Sequence, residues 1–422
     1  MCLLLLILGL ILSNFKMNKV IINNIQILDV RTGKYSPGNI LVEEKKIKKI
    51  SKNNISDKAV EVIDGKGNFL LPGFCDAHVH VTAATPNFAD LMRWSPFYTA
   101  FRAEDILEKM LQRGFTTVRD AGGAEYGLAQ AINEGYIKGP RLLFCGKAIS
   151  QTGGHGDMRE KGEDFDQCLF CVGLGTVVDG VAEMRRACRD EIRKGAHHIK
   201  LMCSGGVASP TDRINSTQFS DEEIIAAVQE AAAANLYVLG HAYTGRAISK
   251  ALNCGVRSIE HGNLMDENSM DLLIKKNAFL VPTMSTHHAI AREGVKAGMP
   301  KEMANKIFDV LDAGQKNFPI AHKKGVKFVL GTDLLGSMHQ YQLDEFVLRS
   351  EFQSTLEVIQ SATINAAELF NMSKQIGEVI DGASADLLIY NKDPLDNIKV
   401  LQNPNENLIF IMREGNVFKN KI

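Results

Sequence analysis

The chain has 422 residues, 45% of them hydrophobic, with 48 basic residues against 49 acidic and a net charge of -1. The length exceeds one ordinary domain but suits a barrel enzyme with additions, and the apolar fraction supports a large core. The balanced charge excludes a nucleic-acid footprint, and eight irregularly spaced cysteines, several inside apolar runs (Cys75, Cys145, Cys203), argue against a disulfide framework and for a reducing compartment.

Residues 1–16 are expected to be an apolar extension outside the fold. The run Cys2 to Leu12 is too short to span a bilayer, and no basic segment or clear cleavage site flanks it. Met17 opens a stretch that reads as a natural start. A cytoplasmic protein with no stable membrane span is the expectation, and export is the alternative if residues 1–16 are a signal segment.

Residues 18 to 65 alternate β-rich runs with turn residues, at Val20–Ile22, Asn39–Val42 and Ile47–Ile50. The C-terminal runs Ala385–Tyr390 and Leu408–Met412, followed by a turn at Arg413–Asn416, have the same texture. Both ends are therefore expected to complete one β-sandwich domain, residues 17–72 and 373–422, around a barrel at 73–372.

Within that middle, eight strand-like apolar runs alternate with helical segments. They lie near Leu70–His80, Phe115–Val118, Arg141–Cys145, His198–Met202, Leu236–His241, Val256–Glu260, Phe279–Pro282 and Val326–Leu330. A helix is expected from Asp221, with Ser220 and Glu223 as a capping box. Eight β/α units predict an α/β fold, a (β/α)8 TIM-type barrel carrying the terminal β-sandwich. The stretch from Thr152 to Val178 is long for a βα loop and is expected to be a lid or site wall. Cys168 and Cys171 inside it form an isolated C-x-x-C, read as loop thiols because no second pair completes a zinc ribbon, with a redox pair as the alternative.

Barrel chemistry sits at the C-terminal ends of strands. Six ligand-type residues fall there: His78 and His80 on strand one, Lys200 on strand four, His241 on strand five, His261 on strand six and Asp333 after strand eight. The i, i+2 spacing of His78 and His80 aims both imidazoles at one spot, as a metal ion requires. A protonated Lys200 would be repelled by dications, whereas its carbamate is anionic and has two oxygens able to bridge two metals. The remaining histidines (His197, His198, His287, His288, His322, His339) are read as structural or rim residues, although His339, after strand eight, lies where it could touch substrate.

Residues Pro72-Gly-Phe-Cys-Asp-Ala-His-Val-His80, Glu260-His-Gly262, Gly331-Thr-Asp333 and the closing stretch from Gly377 to Ile389 resemble the amidohydrolase superfamily, in the branch of imidazolonepropionase-like proteins and metal-dependent dipeptidases. The resemblance covers Met17 to Ile422. It implies that His78, His80 and Asp333 hold one metal, that His241 and His261 hold a second, and that N6-carboxylated Lys200 bridges them. The imidazole-rich set makes zinc the default, with manganese, cobalt or iron as alternatives. It also implies a homo-oligomer acting on a small-molecule amide or dipeptide, by attack of a metal-bridging hydroxide, with Asp333 shuttling the proton to the leaving nitrogen.

The motifs at Thr152–Asp157, Ser204–Thr211, His241–Thr244 and Gly331–Gly336 are similar to those of Xaa-Pro dipeptidases, carboxypeptidases and ochratoxin-type amide hydrolases. In that subgroup the residues matching His155 and Tyr243 bind the substrate's α-carboxylate. Tyr243, two residues beyond His241, faces the same cavity if the strand continues that far. A neighbouring subgroup, which releases C-terminal Arg or Lys, tends to have His in place of Tyr243. The expected reaction is therefore cleavage before a C-terminal proline or apolar residue. The rivals are Arg/Lys release, cyclic-amide hydrolysis of the imidazolonepropionase type, and a non-catalytic barrel scaffold, which would need broken ligands that are not seen.

Overall fold

The structure is a computed structural model that describes residues 19–55, 57, 61–164 and 173–422. Residues 1–16 and the Cys168/Cys171 pair lie outside the described residues.

The chain opens with β1 (Lys19–Asp29), β2 (Lys34–Glu43), β3 (Lys46–Ser51), β4 (Glu61–Asp64) and β5 (Phe69–Pro72). The middle carries β6 (Phe74–Val79), β7 (Phe115–Asp120), β8 (Arg141–Leu143), β9 (Ala148–Ser150), β10 (Gly175–Val177), β11 (Ile199–Met202), β12 (Val238–Thr244), β13 (Ser258–Leu264), β14 (Phe279–Val281) and β15 (Lys327–Phe328). It closes with β16 (Leu387–Tyr390), β17 (Leu408–Arg413) and β18 (Asn416–Asn420).

Both ends share one sheet. Among the described residues its order is β18-β17-β16-β5-β1-β2-β3, with β4 beside β1, so strands from the two ends meet where β16 pairs with β5. Glu414 and Gly415, both at positive φ, make the turn between β17 and β18. Pro72 ends this sheet and Phe74 begins the parallel strands, one residue later.

The parallel strands form two ladders. One is β6-β7-β8; the other runs β10-β9-β11-β12-β13-β14-β15. Backbone hydrogen bonds outside the ladders join them at two places. His197 N donates to Phe144 O at 2.8 Å, between the ends of β8 and β11. Ala77 N donates to Leu330 O at 2.8 Å and Asp333 N to His78 O at 2.7 Å, between β6 and the segment after β15. Strands β6, β7 and β11 are buried at every residue, as expected for parallel strands covered on both faces.

Local chemistry sets the helices between them. Ser220 Oγ accepts from Glu223 N, and Glu223 Oε2 accepts from Ser220 N at 2.7 Å, so the expected capping box opens the helix Asp221–Ala233. Such a cap stabilises by about 1 kcal/mol. At the N-terminal ends of β6 and β7, Phe74 and Phe115 pack on Phe346, and Phe74 also meets Tyr390 of the terminal sheet. That aromatic core fills one end of the strands and leaves the other end for polar side chains. Strand β10 lies within the stretch from Thr152 to Val178 that the sequence reads as loop, and β9 just before it; with three residues each, they are too short for a legible alternation.

Candidate active site

The six ligand-type residues converge. Ring centroids of His78 lie 5.3 Å from His80 and 5.2 Å from His261, and His241 lies 4.6 Å from His261. Asp333 Oδ1 is 3.4 Å from His78 Nε2 and 3.2 Å from His80 Nε2. The donor atoms of His78, His80 and Asp333 all lie within 4.8 Å of one another, a spacing suited to a metal ion. Lys200 lines the same pocket, buried, with no carboxylate in salt-bridge range among the described residues. Burial lowers its amine below the ordinary lysine range, against the pull of Glu260 and Asp333.

Each imidazole is held from behind by one nitrogen. His78 Nδ1 meets Glu260 Oε2 at 2.8 Å, and His80 Nδ1 meets Gly122 O at 2.9 Å. His261 Nδ1 meets Thr283 Oγ1 at 2.7 Å, and His241 Nε2 meets Gly205 O at 3.2 Å. A partner on one ring nitrogen sets the tautomer and orients the other toward a ligand site. The other ring nitrogen is Nε2 for His78, His80 and His261, and Nδ1 for His241. Burial also depresses His241 and His261 well below the usual imidazole range, which favours their neutral form.

The backbone is bent to achieve this. Glu260 and His261 are consecutive on β13, and alternation would send them to opposite faces. His261 has φ 74°, outside the extended region, and its ring shares the pocket while Glu260 still reaches His78. Asp333 has φ 53° and Thr283 φ 49°. Left-handed geometry at non-glycine residues is strain, and here it marks three residues of one cluster. Gly331 permits the approach of Asp333: a Cβ there would lie 2.3 Å from Val281 Cγ1 and 3.0 Å from His78 Cβ.

Behind His78, Glu260 Oε1 accepts from Arg119 Nη2 at 2.8 Å and from Ser258 Oγ at 2.7 Å. Burial alone would raise the Glu260 carboxyl; Arg119 and His78 instead hold it well below the usual carboxylate range. Asp333 is likewise held well down by His78 and His80 in spite of its burial.

The two expected substrate residues also reach the pocket. His155 stacks on His241 with centroids 4.2 Å apart, and its Nδ1 meets Ser209 Oγ at 2.9 Å and Asp212 Oδ2 at 3.4 Å. Tyr243 lies on β12, which does continue past His241, and its hydroxyl meets His287 Nε2 at 3.3 Å. Met158, Leu174 and Gly175 line the pocket, so the described parts of the stretch after β8 form a site wall. Phe88, Leu91, Met92, Met202 and Ile290 supply further apolar lining.

Sequence reading missed Glu260, Arg119, Thr283 and His287. Glu260 carried a signal, a lone carboxylate in an apolar strand beside His261. His287, assigned to a structural or rim role, is instead a buried pocket residue, its imidazole pushed down to about 4 by burial. His339 is buried but absent from the pocket lining. His198 is structural, its Nε2 meeting Asp120 O at 2.9 Å. Among the described residues, no helix is long and apolar enough to cross a membrane.

Comparison with known proteins fits this geometry. Residues 69–418 match the model of the amidohydrolase family. An ochratoxinase of Aspergillus niger is 34% identical over 366 residues, spanning 83% of this chain and 75% of that protein. A prolidase solved in complex with N-methylphosphonate-L-proline superposes with TM-score 0.94 at 42% identity, covering 96% of this chain and 100% of that one. A Xaa-Pro dipeptidase with methionine bound in its active site gives TM-score 0.86 at 30% identity, covering 96% and 100%.

Proposed function

This chain belongs to the amidohydrolase family and is a hydrolase of amide C–N bonds, and on that premise we propose that it is a binuclear metal enzyme cleaving the bond before a C-terminal proline or other apolar residue. The observation that carries the reading is the orientation of the four imidazoles, each with its rear nitrogen engaged and its ligating nitrogen turned to one pocket that also holds Lys200 and Asp333. His78, His80 and Asp333 would hold one cation, and His241 and His261 a second. Lys200, buried and with no carboxylate in salt-bridge range among the described residues, would hold the cations once carbon dioxide converts its amine to a carbamate. Zinc suits the imidazole-rich set.

The scaffold for this chemistry is a (β/α)8 barrel formed by β6, β7, β8, β11, β12, β13, β14 and β15. The backbone bonds from His197 to Phe144 and from Ala77 to Leu330 support closure. Strands from both ends share one sheet, which supports reading residues 17–72 and 373–422 as the expected terminal β domain.

When bound, the cations acidify a water and polarise the scissile carbonyl. The chain does the rest. Asp333 takes the proton released as oxygen bonds to the carbonyl carbon, and delivers it to the leaving nitrogen, which departs poorly without it. His155 and Tyr243 bind the substrate α-carboxylate and fix the amide over Asp333. The apolar lining receives the side chain of the released residue. Asp333 is the one acidic side chain among the described pocket residues, so nothing there complements a substrate Arg or Lys.

A panel of dipeptides, N-acyl amino acids and cyclic amides, given to the metal-reconstituted protein, tests the reading. Faster release of C-terminal Pro, Leu, Met or Phe than of Arg or Lys is expected. Preference for a basic C-terminal residue, or for a cyclic amide without a carboxylate, would refute it.

A further inference from the structure

His155 is gripped by a buried network that the chemistry above leaves unused. The loop from Ser204 to Thr217 folds back so that Asp212 sits beneath the ring. Its side chain is 2% exposed. Asp212 accepts from Gly206 N at 2.9 Å, from Gln218 Nε2 at 3.3 Å and from Ser209 Oγ in a short contact, and it faces His155 Nδ1 at 3.4 Å. Ser209 Oγ is itself 2.9 Å from the same ring nitrogen. Gln218 also reaches the segment from outside, its Oε1 accepting from His155 N at 3.0 Å.

A second clamp holds the loop. Lys306, just before the helix Ile307–Lys324, donates to three loop carbonyls: Gly206 O at 3.3 Å, Ser209 O at 2.9 Å and Asp212 O at 3.1 Å. Its ammonium is also 4.0 Å from Asp212 Oδ1. The fit on the ring is close. A Cβ on Gly206 would lie 2.2 Å from His155 Cε1, so only glycine lets the loop lie against the imidazole. The opposite side of His155 is stacked on His241. With Nδ1 engaged, Nε2 is the nitrogen left to meet a ligand.

We propose that Asp212 is the positioning residue for carboxylate recognition, and that with Lys306 it locks His155 in the orientation that presents Nε2 to the substrate's C-terminal carboxylate. This rests on the reading of His155 and Tyr243 as carboxylate partners. A merely structural Asp212 would move stability, or KM for every substrate alike. A positioning Asp212 moves KM only where a carboxylate is there to be held.

The test compares an N-acyl-L-leucine with its C-terminal amide, following release of the acyl group by fully metallated protein. For Asp212→Asn, KM for the acid is expected to rise about tenfold or more with kcat within about threefold, so the acid-over-amide preference collapses. Asp212→Glu, which keeps the charge, should recover part of that KM. Lys306→Met tests the same lock from outside the loop and should reduce the preference in the same direction, which keeps a readout available if Asp212→Asn folds poorly. Wild-type protein that favours the acid while Asp212→Asn and Lys306→Met favour it equally would overturn the inference alone. Wild-type protein indifferent to the carboxylate would overturn the carboxylate reading of His155 and Tyr243, and this inference with it.

Discussion

His78 Nδ1 and Glu260 Oε2 are 2.8 Å apart among the parallel strands, and this contact turns Nε2 of His78 toward Asp333. Glu260 at the same time neutralises Arg119, which is fully buried. One carboxylate thus serves both the fold and the proposed metal site. Glu260→Gln is expected to do two things. Leaving Arg119 without its partner should cost about 3 kcal/mol of stability. Loosening His78 should weaken metal binding about tenfold or more. Thermal unfolding and metal retained after dialysis check the two effects separately.

Asp333→Asn keeps the side-chain shape but removes the proposed proton acceptor. Turnover should fall by orders of magnitude while the far-ultraviolet circular dichroism stays that of the wild type. Near-normal turnover in a homogeneous, metallated variant would remove Asp333 from the proton path.

Stripping the cations with a chelator should abolish hydrolysis and lower the melting temperature, since a ligand bound only to the folded state stabilises it. With Lys200 carbamylated as proposed, restoring metal together with bicarbonate should recover activity faster than metal alone. Equal recovery with and without bicarbonate would argue against the carbamate.

Glu345 provides a pH signature away from the cations. It is buried and accepts from Ser285 N at 2.7 Å, holding the start of the helix Met284–Glu293 that carries His287. Burial raises its carboxyl to about 7, only partly opposed by Arg349. A carboxyl raised in the folded state favours folding below its unfolded value, near 4.5, and loses that advantage as pH climbs through about 7. The contribution of Glu345 should therefore decline between about pH 4.5 and 7, and Glu345→Gln should remove that part of the pH dependence. Melting temperatures across the range, compared between the two proteins, measure it.

Much of this was legible in the chain because burial leaves strong local marks. The apolar runs around Phe115, Ile199 and Leu239 are strands since parallel strands are buried on both faces. His78 and His80 share a face by alternation alone, and Ser220 with Glu223 announced a helix start. The supporting atoms were not legible. Glu260 meets Arg119 and His78 only because β6, β7 and β13 settle into one register, which no local pattern encodes. His261 departs from alternation through its positive φ, and the rule that located His80 would have turned it away. His287 sits on a helix, where its i, i+3 neighbours look like ordinary core; its link to Tyr243 is purely tertiary.

Tyr243→Phe separates the two arms of the proposed carboxylate site. Losing one hydroxyl donor should raise KM for free-acid substrates about tenfold, with a smaller change in kcat. Steady-state kinetics on a dipeptide and its C-terminal amide would show whether the loss tracks the carboxylate.

The central claim is a pair of cations gripped by six side chains. Its most direct measurement is titration of zinc into metal-free protein, in the presence of bicarbonate, while hydrolysis of an N-acyl-leucine is followed. Activity should climb until two equivalents per chain and then level, and Lys200→Ala should fail to reach that plateau. Full activity at one equivalent, or activity indifferent to metal, would contradict the account.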